Sequence, residues 1–372
     1  MKAPRLALEV TLVLILIAGT AILVDHARQA SVPEASPSGA APEASPSGAA
    51  PKVSPSGAAQ VPGKCVTAPH TCGFPDATDT GVPGGTALRS VPSQVSRGPG
   101  WHFDARDGSV VVTASGTVLS SLYIPHSLVI EASDVTIRDV RVVTGGYFGI
   151  ALRHTAGVTI EDSTVSGQTR TIGRVGSAIV DAYGDSTGIV IKNDNISQFK
   201  TGVQISTGLI AGNYIHDPGY IHGDHTNGIY VAGTTEPLTI YGNTIFNNLG
   251  QTDDINLDAS TSGQHVANKI VVDNMLVGGG YSIYGGGARN DRTWNILIED
   301  NEFGRLYYPK GGQYGPVAYF NPAGSGNVWS GNVWSGNDRP GNNRPGNNRP
   351  GNNRLGRATV SPGAWPSSAV AG

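Results

Sequence analysis

Along the middle of the chain one spacing of apolar and polar positions keeps returning: an apolar residue, Asn three positions later, and a second apolar residue two beyond that. Ile210/Asn213/Ile215, Ile240/Asn243/Ile245, Val271/Asn274/Leu276, Ile298/Asn301/Phe303 and Trp329/Asn332/Trp334 carry it in full. Ile137/Val142, Ile160/Val165 and Ile191/Ile196 keep the apolar pair but hold Val140, Ser163 and Asp194 in the Asn place. Strand side chains alternate with a period of two, so residues five apart cannot both face inward from one straight strand. A bend must separate them. Asn tolerates a left-handed backbone and is therefore expected at that bend.

Self-similarity at roughly 20 to 30 residues marks a solenoid, and short strand units with Gly and Asn corners select a β-helix over helical repeats. Successive turns would stack about 4.8 Å apart. The Asn column then becomes a ladder of amides bonded along the axis, a structural role rather than a catalytic one. A second apolar column, Ile150, Ile179, Val203, Ile229, Ile255 and Ile283, leads the following strand of each turn. The segments joining the two columns run from the short 197–200 to the longer 166–177 and 216–227. Insertions at one corner should wall a groove on one side. The expectation is an all-β fold, a single parallel β-helix (β-solenoid) of roughly eight to ten turns.

The flanks read differently. Lys2 and Arg5 precede an apolar run from Leu6 to Val24 broken only by Glu9, a pattern that keeps the charged end cytoplasmic and exports the body. The run lacks a clear small-x-small cleavage site, which favours an uncleaved signal anchor over a cleaved signal peptide. Residues 1–30 are read as that segment, and 31–61 as a Pro/Ser/Ala/Gly stalk repeating ASPSGAAPE, ASPSGAAPK and VSPSGAAQ. The solenoid is assigned to 62–336. Residues 337–372 hold the tandem GNNRP repeat, without an apolar face and expected to be disordered. The only two cysteines, Cys65 and Cys72, open the body, and in an exported chain so close a pair reads as a local disulfide.

Composition narrows the partners. Of 372 residues 52 are Gly and 14% are charged, against roughly 25% charged in average proteins, which argues against an α-rich fold. Residues 61–336 carry 16 basic and 23 acidic residues, and an acidic body disfavours nucleic acid.

The text FPDATDTGVPGGTAL from Phe74, followed by GTVLSSLYIPHSLVIEASDVTIRDVRV, resembles the opening of bacterial exported right-handed parallel β-helix proteins of the pectate-lyase-like superfamily. The resemblance runs from about Phe74 to about Trp334. It implies a right-handed solenoid and, more loosely, a polysaccharide or cell-wall glycan as partner. The protein is expected as a monomer outside the cytoplasm, on the membrane through its N-terminal segment or secreted if that segment is cleaved.

Candidate chemistry concentrates in 216–229 and, one turn later, in 251–258. With Ile229 and Ile255 inward, Asn227, Tyr230, Asp253, Asn256 and Asp258 are expected outward, with Tyr281 and Tyr284 next along the column. Flat rings along a groove suit stacking on sugars, and equally suit packing between turns. HTNGI followed by TDDI resembles the polygalacturonase motifs NTDG and DDC. Residue by residue, Asp253 and Asp254 match the second motif, while Asn227 stands where the first has an acid. The His and Arg-x-Lys signatures of that family are missing, and Asp224 is the replacement carboxylate. A hydrolase would use Asp253, Asp254 and Asp224. A lyase would need Ca²⁺ on Asp224, Asp253, Asp254 and Asp258, His225 or His222 as base, and Arg289 on the substrate acid. Asp and Asn also cap turns, and a non-catalytic glycan- or wall-binding module or structural rod stands beside both enzyme readings.

Overall fold

The computed structural model describes residues 63–335 apart from 169–175, 222, 260–263 and 288–292. The N-terminal apolar run, the stalk and the Arg-containing tail, with the expectations placed on them, lie outside the described residues. The body is a parallel β-solenoid of about seven turns, slightly fewer than expected because its first and last strands belong to incomplete turns. Its strands form a 17-stranded sheet that bends through the Asn corner and an 11-stranded sheet, parallel except at its start.

One turn shows the construction. Leu238–Tyr241 leads to a corner at Gly242, Thr244–Asn247 follows, and segment 248–251 crosses to Thr252–Leu257. Register then stacks like on like. Ile210, Ile240, Val271 and Ile298 align, as do Ile215, Ile245, Leu276 and Phe303, and Val203, Ile229, Ile255 and Ile283. All of these belong to one buried core. Each such side chain contributes about 1.5–3 kcal/mol relative to exposure.

The left-handed residue at the corner is not the Asn. It is the residue before it: Asp139, Asp162, Asn193, Gly212, Gly242, Asp273, Asp300 and Gly331 all have positive φ, as does Ser121 one turn earlier. Asn213, Asn243, Asn274, Asn301 and Asn332 follow, buried, with their side chains in the stack. The Oδ1 of Asn243 accepts from the backbone N–H and the Nδ2 of Asn213, at 3.0 and 2.9 Å. Its own Nδ2 donates back to the Ile210 carbonyl at 3.0 Å and forward to Asn274 Oδ1 at 2.9 Å. The same pattern passes through Asn274 and Asn301 to Asn332. A side chain that must reach both neighbouring turns needs an extended backbone, so the sharp bend falls one position earlier.

The ends and the outside are closed separately. Trp101–Asp104 and Ser109–Val112 form an antiparallel hairpin over the first turn and shield an otherwise open edge. Cys65 and Cys72 are joined in a disulfide, and Cys65, Val66 and Phe74 pack outside the solenoid on Phe246, Met275 and Val277. In this entry segment hydrogen bonds from Thr78 and His70 outweigh the burial that would raise Asp76, and lower its carboxyl to about 2. At the other end GNVWS occurs twice in tandem. Gly326 and Gly331 both take positive φ, and Asn327 and Asn332 follow them. Lys269, a buried lysine the sequence did not flag, spans two connections through the Ser206 and Glu236 carbonyls, and burial lowers it to about 8.

Replacing Asn243 by Leu should destabilise the protein by about 1–3 kcal/mol, since it leaves the Ile210 carbonyl and two amide donors of Asn213 without a partner. The same change at Asn342, in the tail, should be neutral. Thermal melting of both variants against the parent checks this, and equal midpoints would contradict it.

Candidate functional site

The strands Thr226–Val231, Thr252–Leu257, Tyr281–Gly285 and Gly315–Ala318 lie side by side in the 11-stranded sheet. Asn227 pairs with Asp253 and Asp253 with Tyr281, while Tyr230, Asn256, Tyr284 and Ala318 form the outward column three positions on. Variable connections begin on both sides: those that enter Thr226, Thr252 and Gly315 at one corner, and those that leave Val231, Leu257 and Gly285 at the other. Insertions were expected at the first corner alone. The face between them is the candidate site.

Its polar groups are tied to one another. Tyr230 donates from its hydroxyl to Asp258 Oδ2 at 2.8 Å, and Asn256 Nδ2 reaches Asn227 Oδ1 at 3.5 Å. Burial, with the Asp258 charge and this bond, pushes the Tyr230 hydroxyl well up. Beyond them four tyrosines form a platform: Tyr284 stacks on Tyr319 at 5.2 Å, and Tyr281 meets Tyr284 at 5.6 Å and Tyr314 at 5.7 Å. Tyr314 is 60% and Tyr319 42% exposed, so this aromatic surface faces solvent. Tyr314 and Tyr319 were not anticipated, although continuing the column from Tyr284 to Ala318 would have placed Tyr319 beside it.

The two central carboxylates are not on the surface. Asp253 and Asp254 are both 0% exposed, and all four of their oxygens lack a hydrogen-bond partner. Alternation fails here because the strand register breaks at this position turn after turn: Asp254 and Ile255 are both turned into the interior, as Ala178 with Ile179 and Ser282 with Ile283 are in other turns. Asp253 lies toward the tyrosine face, where its charge is felt by Tyr284. Asp254 lies toward Tyr307 and the Val277 amide, which favours its charged form without reaching normal hydrogen-bond geometry. Burial raises both carboxyls well above the usual range, and for Asp253 the neighbouring Asp254 and Asp258 raise it further.

The remaining expected residues do not converge on this pair. Asp224 is buried and closes its own loop, accepting the Ile221 N–H at 3.0 Å; His225 is exposed. His222 and Arg289 lie outside the described residues. Among the described residues no group of three or more His, Cys, Asp or Glu side chains is arranged to hold a metal ion. The set Asp224, Asp253, Asp254 and Asp258 thus does not fit Ca²⁺. A cavity of ≈ 10 Å³ beneath Asn227 and Gly228 admits no more than a water.

A carboxyl whose folded pKa is raised binds more protons folded than unfolded. Its favourable contribution is complete below the unfolded value of about 4 and is lost as pH rises through the folded one. Asp253→Asn and Asp254→Asn should therefore each raise stability at neutral pH, by about 1–3 kcal/mol, and flatten its decline with pH. Urea denaturation across pH measures this, and lower stability of both variants at neutral pH would contradict it.

No curated protein matches the chain significantly. The family model for the right handed beta helix region matches residues 128–315, just over half the chain, and it spans the buried acids, the Asn ladder up to Asn301 and the tyrosine platform apart from Tyr319. The chain belongs to the right-handed beta helix family.

Proposed function

We propose that the protein is a polysaccharide-active enzyme whose substrate lies along the face of Asn227, Tyr230, Asn256, Asp258 and Tyr284, with Asp253 as the proton donor. The carrying observation is Asp253 itself, a carboxyl with both oxygens buried and unpartnered beneath an exposed aromatic surface. Such a group weakens the fold, and a position beside sugar-stacking rings gives a reason to keep it. A carboxyl raised by burial suits donation to a glycosidic oxygen more than the abstraction of a proton, which favours hydrolysis over elimination. Its proton reaches a substrate only when the side chains covering it yield to a sugar ring. On this reading the enzyme works outside the cytoplasm, held by its N-terminal apolar run or released from it, and as a monomer.

A non-catalytic glycan- or wall-binding module is the second reading. It draws on the four tyrosines and on the burial of both Asp253 and Asp254 away from solvent.

Incubating the protein with neutral and uronate polysaccharides, following reducing ends and unsaturated-product absorbance, separates the readings. Hydrolysis predicts reducing ends without unsaturation and a loss of at least about 10²-fold in kcat for Asp253→Asn, with Asp224→Asn and His225→Ala within about twofold. Full activity of Asp253→Asn on a substrate the parent cleaves would remove the proposed role. Retention on a glycan without turnover, weakened by Tyr284→Ala, would establish the binding module instead.

A further inference from the structure

The Asn ladder is interrupted at one buried rung. At five successive turns the rung amide donates from Nδ2 to the carbonyl three residues before the preceding rung. The pairs are Asn213 to Ile191, Asn243 to Ile210, Asn274 to Ile240, Asn301 to Val271 and Asn332 to Ile298, at 2.7 to 3.1 Å. Asp194 is the rung before Asn213. Its Oδ1 plays the amide oxygen's part, accepting the Ser163 N–H at 2.7 Å, and its own N–H donates to Asn213 Oδ1 at 2.9 Å. Its Oδ2 takes the place of the donor, is buried, and has no partner. By the equivalence of the rungs it faces two acceptors, the Ile160 carbonyl and Asn213 Oδ1. Three oxygens with lone pairs and no hydrogen between them repel; one proton on Oδ2 turns the repulsion into a hydrogen bond.

We propose that Asp194 is kept as a neutral carboxylic acid whose Oδ2–H stands in for the amide N–H of the other rungs, so that the ladder closes at this turn only while the proton is held. The charged groups around it sit on its own strand pair: Glu161 and Asp162 from the preceding turn, and Lys192 two residues before it. Lys192 lies 2.8 Å from Glu161, which takes up much of its charge. Glu161 and Asp162 reinforce the burial that raises the Asp194 carboxyl, Lys192 and the Ser163 N–H oppose it, and burial dominates. The device has a location as well as a chemistry. The turn of Asp194 continues into Thr201–Gln204, which pairs through Thr201 and Gln204 with Asn227 and Tyr230 of the candidate face. Losing the proton therefore loosens the turn on which that face begins.

The sign follows from the folded carboxyl sitting above its unfolded value of about 4. Above that value the folded state keeps a proton that the unfolded state has released. The unfolding equilibrium constant contributed by this group then rises about tenfold per pH unit until the folded group itself ionises. The experiment is urea denaturation of the full chain and of Asp194→Asn across pH about 4 to 8. It is paired with infrared detection of protonated carboxyl groups in the folded proteins. Asp194→Asn supplies the missing N–H without a proton to lose, so it should unfold with one proton fewer released, gain on the parent as pH rises, and lack one acid carbonyl band. Asp194→Ser, which copies the rung at Ser163, should show the same loss of slope and band, and carries the comparison if Asp194→Asn does not fold. Parallel pH profiles for parent and variant, or an unchanged acid band, would overturn the proposal. The other buried acids, Asp253 and Asp254, remain in every variant and cancel in the difference.

Discussion

The structure depends on one arrangement: a primary amide buried at the same corner of successive turns, bonded above and below. Backbone bonds flank each corner, from Gly242 N–H to the Val272 carbonyl and from Thr244 N–H to the Asn213 carbonyl, but the Asn243 N–H between them goes to the side chain of Asn274. The rung amide supplies the missing constraint. It takes up two N–H groups from the turn before and satisfies a carbonyl there as well, so a bend that would otherwise bury unpaired polar groups becomes well bonded. Once the corner is set, the apolar residues on either side point inward together. The columns of Ile and Val fall into register as a consequence.

Much of this was legible in the chain. The five-residue interval between apolar partners required a bend, and the recurring Asn required a stacked role; both follow from alternation and from the chemistry of an amide. The identity of the left-handed residue was not legible from Asn alone, since Asn tolerates that backbone as readily as Asp or Gly. The decisive signal lay one position earlier, where Asp139, Asp162, Asp273 and Asp300 alternate with Gly212, Gly242 and Gly331. Site geometry was less accessible for a related reason. Tyr230, Asn256 and Tyr284 face outward as alternation requires, but Asp253 and Asp254 lie where the strand register breaks and alternation gives no guidance. Lys269 escaped notice because nothing in sequence marks a lysine whose amine is satisfied by two main-chain carbonyls of other turns.

The molecule thus separates its work spatially. Amides and aliphatic columns hold the turns, while the outward column of the 11-stranded sheet carries Gln204, Tyr230, Asn256 and Tyr284 without any part in the core. Asp253 and Asp254 sit at the boundary between the two, near enough to the face to matter there and buried enough to burden the fold. Two acids with four unpartnered oxygens are a poor way to fill space, since apolar side chains of similar size would pack the same volume without the penalty.

The last turn, written twice with the same five letters, has a meaning for how such a chain changes over generations. Gly326 and Gly331 open copies of GNVWS that serve two different corners of one turn. A short unit that supplies its own bend and its own amide does not need a bespoke neighbour. Copying errors that insert or delete such units yield chains in which every new corner already has its partner chemistry, and only the identity of the apolar letter decides whether the addition packs. Such copying rewrites corners of the 17-stranded sheet only; a whole added turn, and with it another residue on the outward face, takes the full repeat with its third strand.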